Sequence, residues 1–134
     1  MPEFASILKS MTLEFFGGGK HKILPEALFN TKDAVFIDVR SVPERQSLDL
    51  PLEHHVTVLR IPTDEIPDRV DEIPRDRLVG VFCSAGTRAS IVYAYLRTRG
   101  YSDVRIVHGG YDVIVDAIKP GSLWQHLEQK KCPQ

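Results

Sequence analysis

Leu78-Val79-Gly80-Val81-Phe82-Cys83-Ser84-Ala85-Gly86-Thr87-Arg88-Ala89-Ser90-Ile91-Val92-Tyr93-Ala94-Tyr95-Leu96 decides how the chain is read. It starts with a short apolar run of the kind that makes a buried strand. Small residues and an arginine follow Cys83, and a second apolar run then ends in Arg97-Thr98-Arg99-Gly100. Cations in a last turn and a glycine at the stop are the signature of a helix end. The stretch therefore reads strand, tight loop, helix, with Cys83 where the strand gives out.

Such a loop has chemical consequences. The N–H groups at a helix start lack intrahelical partners and point at whatever lies over them. The positive end of the helix dipole is there too. Both favour a thiolate at Cys83. Gly86 can take a positive φ, as a loop curling around one sulfur atom needs. Ser84, Ala85 and Thr87 are small and leave the mouth open. Arg88 adds a permanent cation whose planar fork of donors suits an oxyanion. A lone cysteine at a strand end is commonly an inert core residue. The combination Cys-Ser-Ala-Gly-Thr-Arg between strand and helix points instead to a nucleophile.

Working outward, Val35 to Val39 is nearly unbroken and apolar, as in a parallel strand covered on both faces. Asp38 and Arg40 stand at its carboxyl end, the edge where open α/β sheets bind ligands. Asp38 reads as a structural carboxylate that holds loop N–H groups or an arginine. Arg40 reads equally as a substrate-attracting cation beside Arg88 and as a surface ion pair. Val56 to Ile61 and Val104 to Val107 are further strands. Leu24 to Phe29 is a short helix, with Leu24, Leu28 and Phe29 expected on the sheet. Pro43 to Pro51 is a helical or irregular connection, and Asp64 to Pro74 a short helix with a solvated charged face. Gly109-Gly110 turns into a segment over Tyr111 to Ile118, which Lys119-Pro120-Gly121 breaks. Ser122 to Glu128 reads as a capped helix with Leu123, Trp124 and Leu127 inward. Strands alternating with helices predict right-handed crossovers and a parallel sheet with helices on both faces.

At the cysteine loop the sequence resembles the rhodanese family of sulfurtransferases, whose members carry a Cys-x-x-Gly-x-Arg loop between strand and helix. Val35-Phe36-Ile37-Asp38-Val39-Arg40 is similar to the family's hydrophobic-Asp-x-Arg strand end, and Glu44 stands where a family acidic residue follows. Ile61-Pro62 matches a strand-to-helix step. Gly100-Tyr101 and Ile106-Val107-His108-Gly109-Gly110-Tyr111 match the family's Gly-Tyr, strand, Gly-Gly order. The resemblance covers roughly residues 23 to 124. One departure is clear. The family's Gly-His-Ile-x-Gly-Ala turn, expected to border the substrate entrance, is here Glu53-His54-His55-Val56-Thr57-Val58-Leu59-Arg60, where His55-Val56 is similar to the His-Ile pair and both glycines are missing.

The resemblance implies a rhodanese-like α/β fold: one domain, a five-stranded parallel sheet and helices on both faces. The domain spans 23–131, after an N-terminal segment (1–22) of unassigned structure and before a tail (132–134). It implies sulfur transfer from thiosulfate or another persulfide donor, through a Cys83 persulfide, to a thiol or cyanide acceptor. Cys83 and Arg88 are then the catalytic residues. Ser84, Ala85, Gly86, Thr87 and Arg40 are the substrate-binding residues, with Asp38 structural beside them. A sulfur carrier handing the atom to a relay protein needs the same loop, and so does a regulatory binding module. Related phosphatases have one more residue between Cys and Arg, so the tighter ring here suits a single sulfur.

The totals set the class. The chain has 134 residues, 43% apolar and 26% charged, as expected of one globular domain. A net charge of −1 gives no reason to expect nucleic acid or an anionic membrane as a partner. No apolar run approaches a membrane span. The N-terminus lacks a signal-peptide pattern, and two unlike cysteines make no disulfide framework, so a reducing cytoplasm is expected. Ser6 to Phe16 reads as a strand or a short helix. Phe16-Gly17-Gly18-Gly19-Lys20-His21-Lys22 reads as a flexible basic loop, because His21 stands where a phosphate loop needs Ser or Thr. His54 and His55 are a poor metal pair. His108 ends a strand and either approaches the Cys83 mouth or serves its turn. His21 and His126 read as surface residues, Cys132 as a free surface thiol. No Cys/His cluster has zinc spacing, and neither metal nor cofactor is expected.

Overall fold

Four of the five strands begin or end on the apolar runs just described, and all pair in parallel. The structure is a computed structural model that describes residues 3–131; Cys132 lies outside the described residues. The strands are β1 (Lys22–Ile23), β2 (Val35–Asp38), β3 (Thr57–Arg60), β4 (Val79–Phe82) and β5 (Val104–Val107), in the order β1-β5-β4-β2-β3. Every residue of β2 and β4 is buried, whereas the edge strand β3 is partly exposed. This is the difference between central and edge strands of a sheet covered on both faces.

Side chains alternate across the sheet. Val35 and Ile37 of β2 and Val79 and Val81 of β4 face one layer, built with Ala89, Val92, Tyr93 and Leu96 of α6 (Thr87–Thr98). Phe36 and Phe82 face the other, with Leu28 of α3 (Pro25–Phe29) and Ile114 of α7 (Gly110–Ala117). Leu24 is half-exposed at the N-cap of α3 rather than on the sheet, because Pro25 starts the helix one residue later. Tyr101 of the Gly-Tyr pair is buried, and its hydroxyl donates to the carbonyls of Val70 and Ile73.

Other elements refine the sequence reading. Residues 4–17 form two helices, α1 (Phe4–Ser10) and α2 (Leu13–Gly17), which bury Ile7 and Phe15 against the domain. The basic segment after them turns directly into β1, which pairs with β5. Helix α4 (Val42–Ser47) opens with a capping box between Ser41 and Glu44. The Asp64–Pro74 region is three short pieces: 3-10 turns at Thr63–Glu65 and Val70–Glu72 flank α5 (Ile66–Arg69). The turn that lacks the family glycines precedes β3. In a parallel sheet that is the edge opposite the end of β4, so this turn does not border the Cys83 loop. Among the described residues no helix is long and apolar enough to cross a membrane.

The last helix, α8 (Pro120–Lys131), docks differently from expectation. Trp124 is exposed, and the residue it buries is His126. His126 Nδ1 meets His55 Nδ1 at 2.5 Å, and its Nε2 meets the Asn30 side-chain oxygen at 3.1 Å. One Nδ1 must donate and the other accept, so two protonated rings cannot share this contact. Burial, followed by the His126, His54 and Lys130 charges, pushes His55 down to about 4. His126 is lowered as well, by burial first and then by Lys130. Folding therefore favours the neutral rings. Their contribution is complete above the unfolded value of about 6.5 and is lost as the pH falls toward 4. The melting temperature of the protein is expected to drop across that window. His126→Gln, which keeps a polar side chain but cannot titrate, should flatten the drop; an unchanged profile would locate the acid sensitivity elsewhere.

Candidate active site

The carboxyl ends of β2, β4 and β5 share one edge of the sheet, and the cysteine loop rises from its middle. Cys83 follows β4 directly, and α6 starts four residues later at Thr87. Gly86 is the N-cap of α6 at φ +89°. A Cβ there would meet no neighbour, so the need for glycine is one of backbone conformation alone. The positive φ turns the chain back over the sulfur. The Gly86 N–H donates to Cys83 Sγ at 3.1 Å and the Ala89 N–H at 3.2 Å. Cys83 is only 3% exposed, at the floor of a cleft of about 620 Å³. Ser84, Ala85, Gly86 and Thr87 all line that cleft. Gly109, at φ +106°, brings the start of α7 in beside the loop; a Cβ there would stand 2.3 Å from a Val113 methyl.

Arg88 does not point an empty fork at the cleft. Its Nη1 and Nη2 grip the Glu44 carboxylate at 2.6 and 2.9 Å, and Nη2 also reaches Ser84 Oγ at 3.2 Å. Glu44 thus has two jobs: it closes the capping box of α4 and fixes the arginine of the cysteine loop. The Arg88 guanidinium and then the Ser41 hydroxyl hold its carboxyl far below the usual carboxylate range. The sequence reading placed Glu44 by resemblance but not in the site. The signal was present in its spacing from Ser41, which marks a capping box, while the long-range partner was not.

Arg40 departs from expectation in the same way. It is neither a free cation at the mouth nor a surface pair, because the guanidinium is 0% exposed. It makes hydrogen bonds to both Asp38 oxygens at 2.7–3.1 Å, to the Leu48 carbonyl at 2.7 Å and to the Tyr111 hydroxyl at 3.1 Å. Asp38 accepts from the Arg40 backbone N–H as well, and the guanidinium lies over the Phe82 and Tyr111 rings. Burial opposes its charge, and the Asp38 and Tyr111 contacts more than restore it. Arg40 ties β2, the turn after α4 and the first turn of α7 together beside the cysteine loop. Asp38 holds both a loop N–H and an arginine.

His21 and His108, read from sequence as a surface residue and as a doubtful neighbour of the mouth, both line the cleft, as does Lys22.

The rhodanese-like domain family matches residues 24–117. The chain belongs to that family. Among its relatives is a protein named "Sulfurtransferase" from Allochromatium vinosum. It is 34% identical over 87 residues, which are 65% of this chain and 77% of that one. Among solved structures, a rhodanese-like domain protein from Staphylococcus aureus is 26% identical, with a TM-score of 0.57. The match covers 69% of this chain and 89% of that one. A NAD-dependent persulfide reductase from A. fulgidus matches at 32% identity and a TM-score of 0.54, over 79% of this chain; the chain spans only 17% of that protein. The rhodanese-like membership agrees with the five parallel strands and with the order of motifs along the chain.

Two outcomes follow for the rhodanese-like site. Asp38→Asn leaves the Arg40 guanidinium buried without its counter-charge and should destabilise the protein by about 3–5 kcal/mol, measured by urea unfolding. Glu44 and Arg88 form one unit across half-exposed surface, so the double variant Glu44→Gln/Arg88→Lys should slow sulfur transfer no more than the worse single variant. Effects that multiply would show that the two residues act separately.

Proposed function

We propose that this rhodanese-like protein is a sulfurtransferase that carries the transferred atom as a persulfide on Cys83. The observation that supports this most is the pair of backbone N–H groups, from Gly86 and Ala89, converging on Cys83 Sγ at 3.1 and 3.2 Å. Fixed dipoles at a helix start favour negative sulfur and need no reorganisation as charge moves onto it.

In the first half-reaction the Cys83 thiolate attacks the outer sulfur of thiosulfate. A new S–S bond forms, the sulfur–sulfur bond of thiosulfate breaks, and its electron pair leaves with sulfite. Cys83 then holds the anionic persulfide, its outer sulfur held among the N–H groups of residues 84–88. In the second half-reaction a thiolate or cyanide attacks that outer sulfur, and the electron pair of the breaking S–S bond returns to Cys83. The charges balance in both steps, and no proton needs to move. Arg88, held by Glu44, fixes the shape of the loop; a lysine there would supply one point charge where the carboxylate takes two parallel donors. A reducing compartment such as the cytoplasm would keep the thiol available.

Matches to short parts of long proteins support a second reading, in which a partner protein supplies or removes the sulfur. The intact mass of the reduced protein after brief exposure to thiosulfate tests the first. One added sulfur is expected, removable by cyanide and absent in Cys83→Ser. No added sulfur from thiosulfate, with one added from a protein persulfide, would favour the relay. No sulfur from either would overturn persulfide chemistry at Cys83.

A further inference from the structure

Cys83 lies among arginines whose charges are already spent. Arg88 is bound on both sides of its fork by Glu44, and Arg40 is buried against Asp38. Each is paired with a carboxylate, which weakens its pull on an anion. The lining of the Cys83 cleft is nevertheless one-sided in charge. Across from the loop stand Lys22 of β1, His21 just before it and His108 just after β5, and no carboxylate lines the cleft among the described residues.

β1 and β5 hold this wall in register. The Ile106 N–H donates to the His21 carbonyl at 2.8 Å, and the His108 N–H to the Ile23 carbonyl at 2.9 Å. The His21 ring is fixed by an edge contact with Phe16, at 5.0 Å between centroids, and by Phe15 at 5.9 Å. Its Nδ1 is buried and has no hydrogen-bond partner. Burial, then the charge of Lys22 and then that of His108, lowers the His21 pKa, as expected when the three groups crowd one wall. No ion pair of Lys22 is formed among the described residues; the nearby Arg105 guanidinium reaches only its backbone carbonyl, at 3.4 Å. His21 and Lys22 also precede the residues matched by the rhodanese-like family, so two of the three residues of this wall come from the N-terminal segment of this chain.

We propose that Lys22, His21 and His108 are the specificity-determining wall of the Cys83 cleft, which selects a small donor carrying an oxyanion behind the sulfur to be transferred. Lys22 supplies the charge, and the two imidazoles supply N–H donors to the oxyanion and to the sulfite that leaves. The choice of donor rests on the sulfurtransferase reading; the selection of anions at Cys83 does not.

The test uses two reagents of nearly the same shape. Iodoacetate is an anion and iodoacetamide is neutral, and both alkylate the Cys83 thiolate. Their rate ratio at the Cys83 peptide, read by mass spectrometry at pH 8, reports the potential over the sulfur whatever the natural substrate. One lysine charge at the edge of a solvated cleft is worth a factor of about three in the rate of a monoanion. Lys22→Gln should therefore lower the iodoacetate-to-iodoacetamide ratio about threefold, and Lys22→Glu about tenfold. Lys32→Gln, before β2 at the opposite edge of the sheet, should leave the ratio unchanged. Thiosulfate is a dianion, so its rate of sulfur loading should fall about tenfold in Lys22→Gln. His108→Phe should slow thiosulfate loading without changing the iodoacetamide rate. A ratio that is the same in wild type, Lys22→Gln and Lys22→Glu, and independent of salt in wild type, would overturn the wall. A ratio that falls as expected in a protein that takes no sulfur from thiosulfate would retain the anion-selecting wall and overturn thiosulfate as its donor.

Discussion

Arg40 carries a full charge at zero exposure, and the edge of the sheet around Cys83 is built on the groups that make this tolerable. A buried guanidinium left unpaired is costly, so its donors must all be met by fixed partners. Asp38 meets them from β2, the Leu48 carbonyl from the turn after α4, and the Tyr111 hydroxyl from α7. The Phe82 ring, one residue before Cys83, lies against the same guanidinium. Three separate parts of the chain thus converge on one cation directly beneath the reactive edge. The cysteine loop then sits on a base whose geometry is fixed by charge as well as by packing.

A consequence is that the positive charge near Cys83 is distributed differently from what its arginines suggest. Each arginine is matched by a carboxylate of its own, one buried and one half-exposed. Both pairs hold parts of the chain in position around the cysteine loop. What donates hydrogen bonds to the sulfur is uncharged: two backbone N–H groups at the start of α6. Such dipoles are rigid and cannot be neutralised by a mobile side chain, which suits the thiolate proposed at Cys83 and the negative outer sulfur of the persulfide proposed there.

The order of strands and helices was legible because each strand is a short apolar run and each helix end carries its own punctuation. Gly86 at positive φ, Gly100 after α6 and Pro25 at the start of α3 act locally, within a few residues. The same locality explains the capping box of Ser41 and Glu44. Misreadings fall where the partner is distant in sequence. Trp124 is apolar and was expected inward, yet α8 turns His126 inward, because His55 and Asn30 offer that imidazole partners. The basic segment after α2 reads as a loop, and residues 18–21 are a turn; the element that escapes the sequence is β1, because a two-residue strand has no periodicity to detect. It exists because β5 offers it an edge to pair with.

The sequence by itself determined the α/β class, the rhodanese-like order of motifs and the position of Cys83 between a strand and a helix. These depend on hydrophobic period, turn chemistry and the spacing of a few residues, all of which are local. Only the tertiary structure decided what the charged groups do: that Arg88 is held by Glu44, 44 positions away, that Arg40 is buried against Asp38, and that Lys22, His21 and His108 line the cleft that holds Cys83. The physical reason is that a charge interacts with whatever is nearest in space. A cation is a ligand for substrate or a structural tie according to whether a carboxylate from elsewhere in the fold reaches it first.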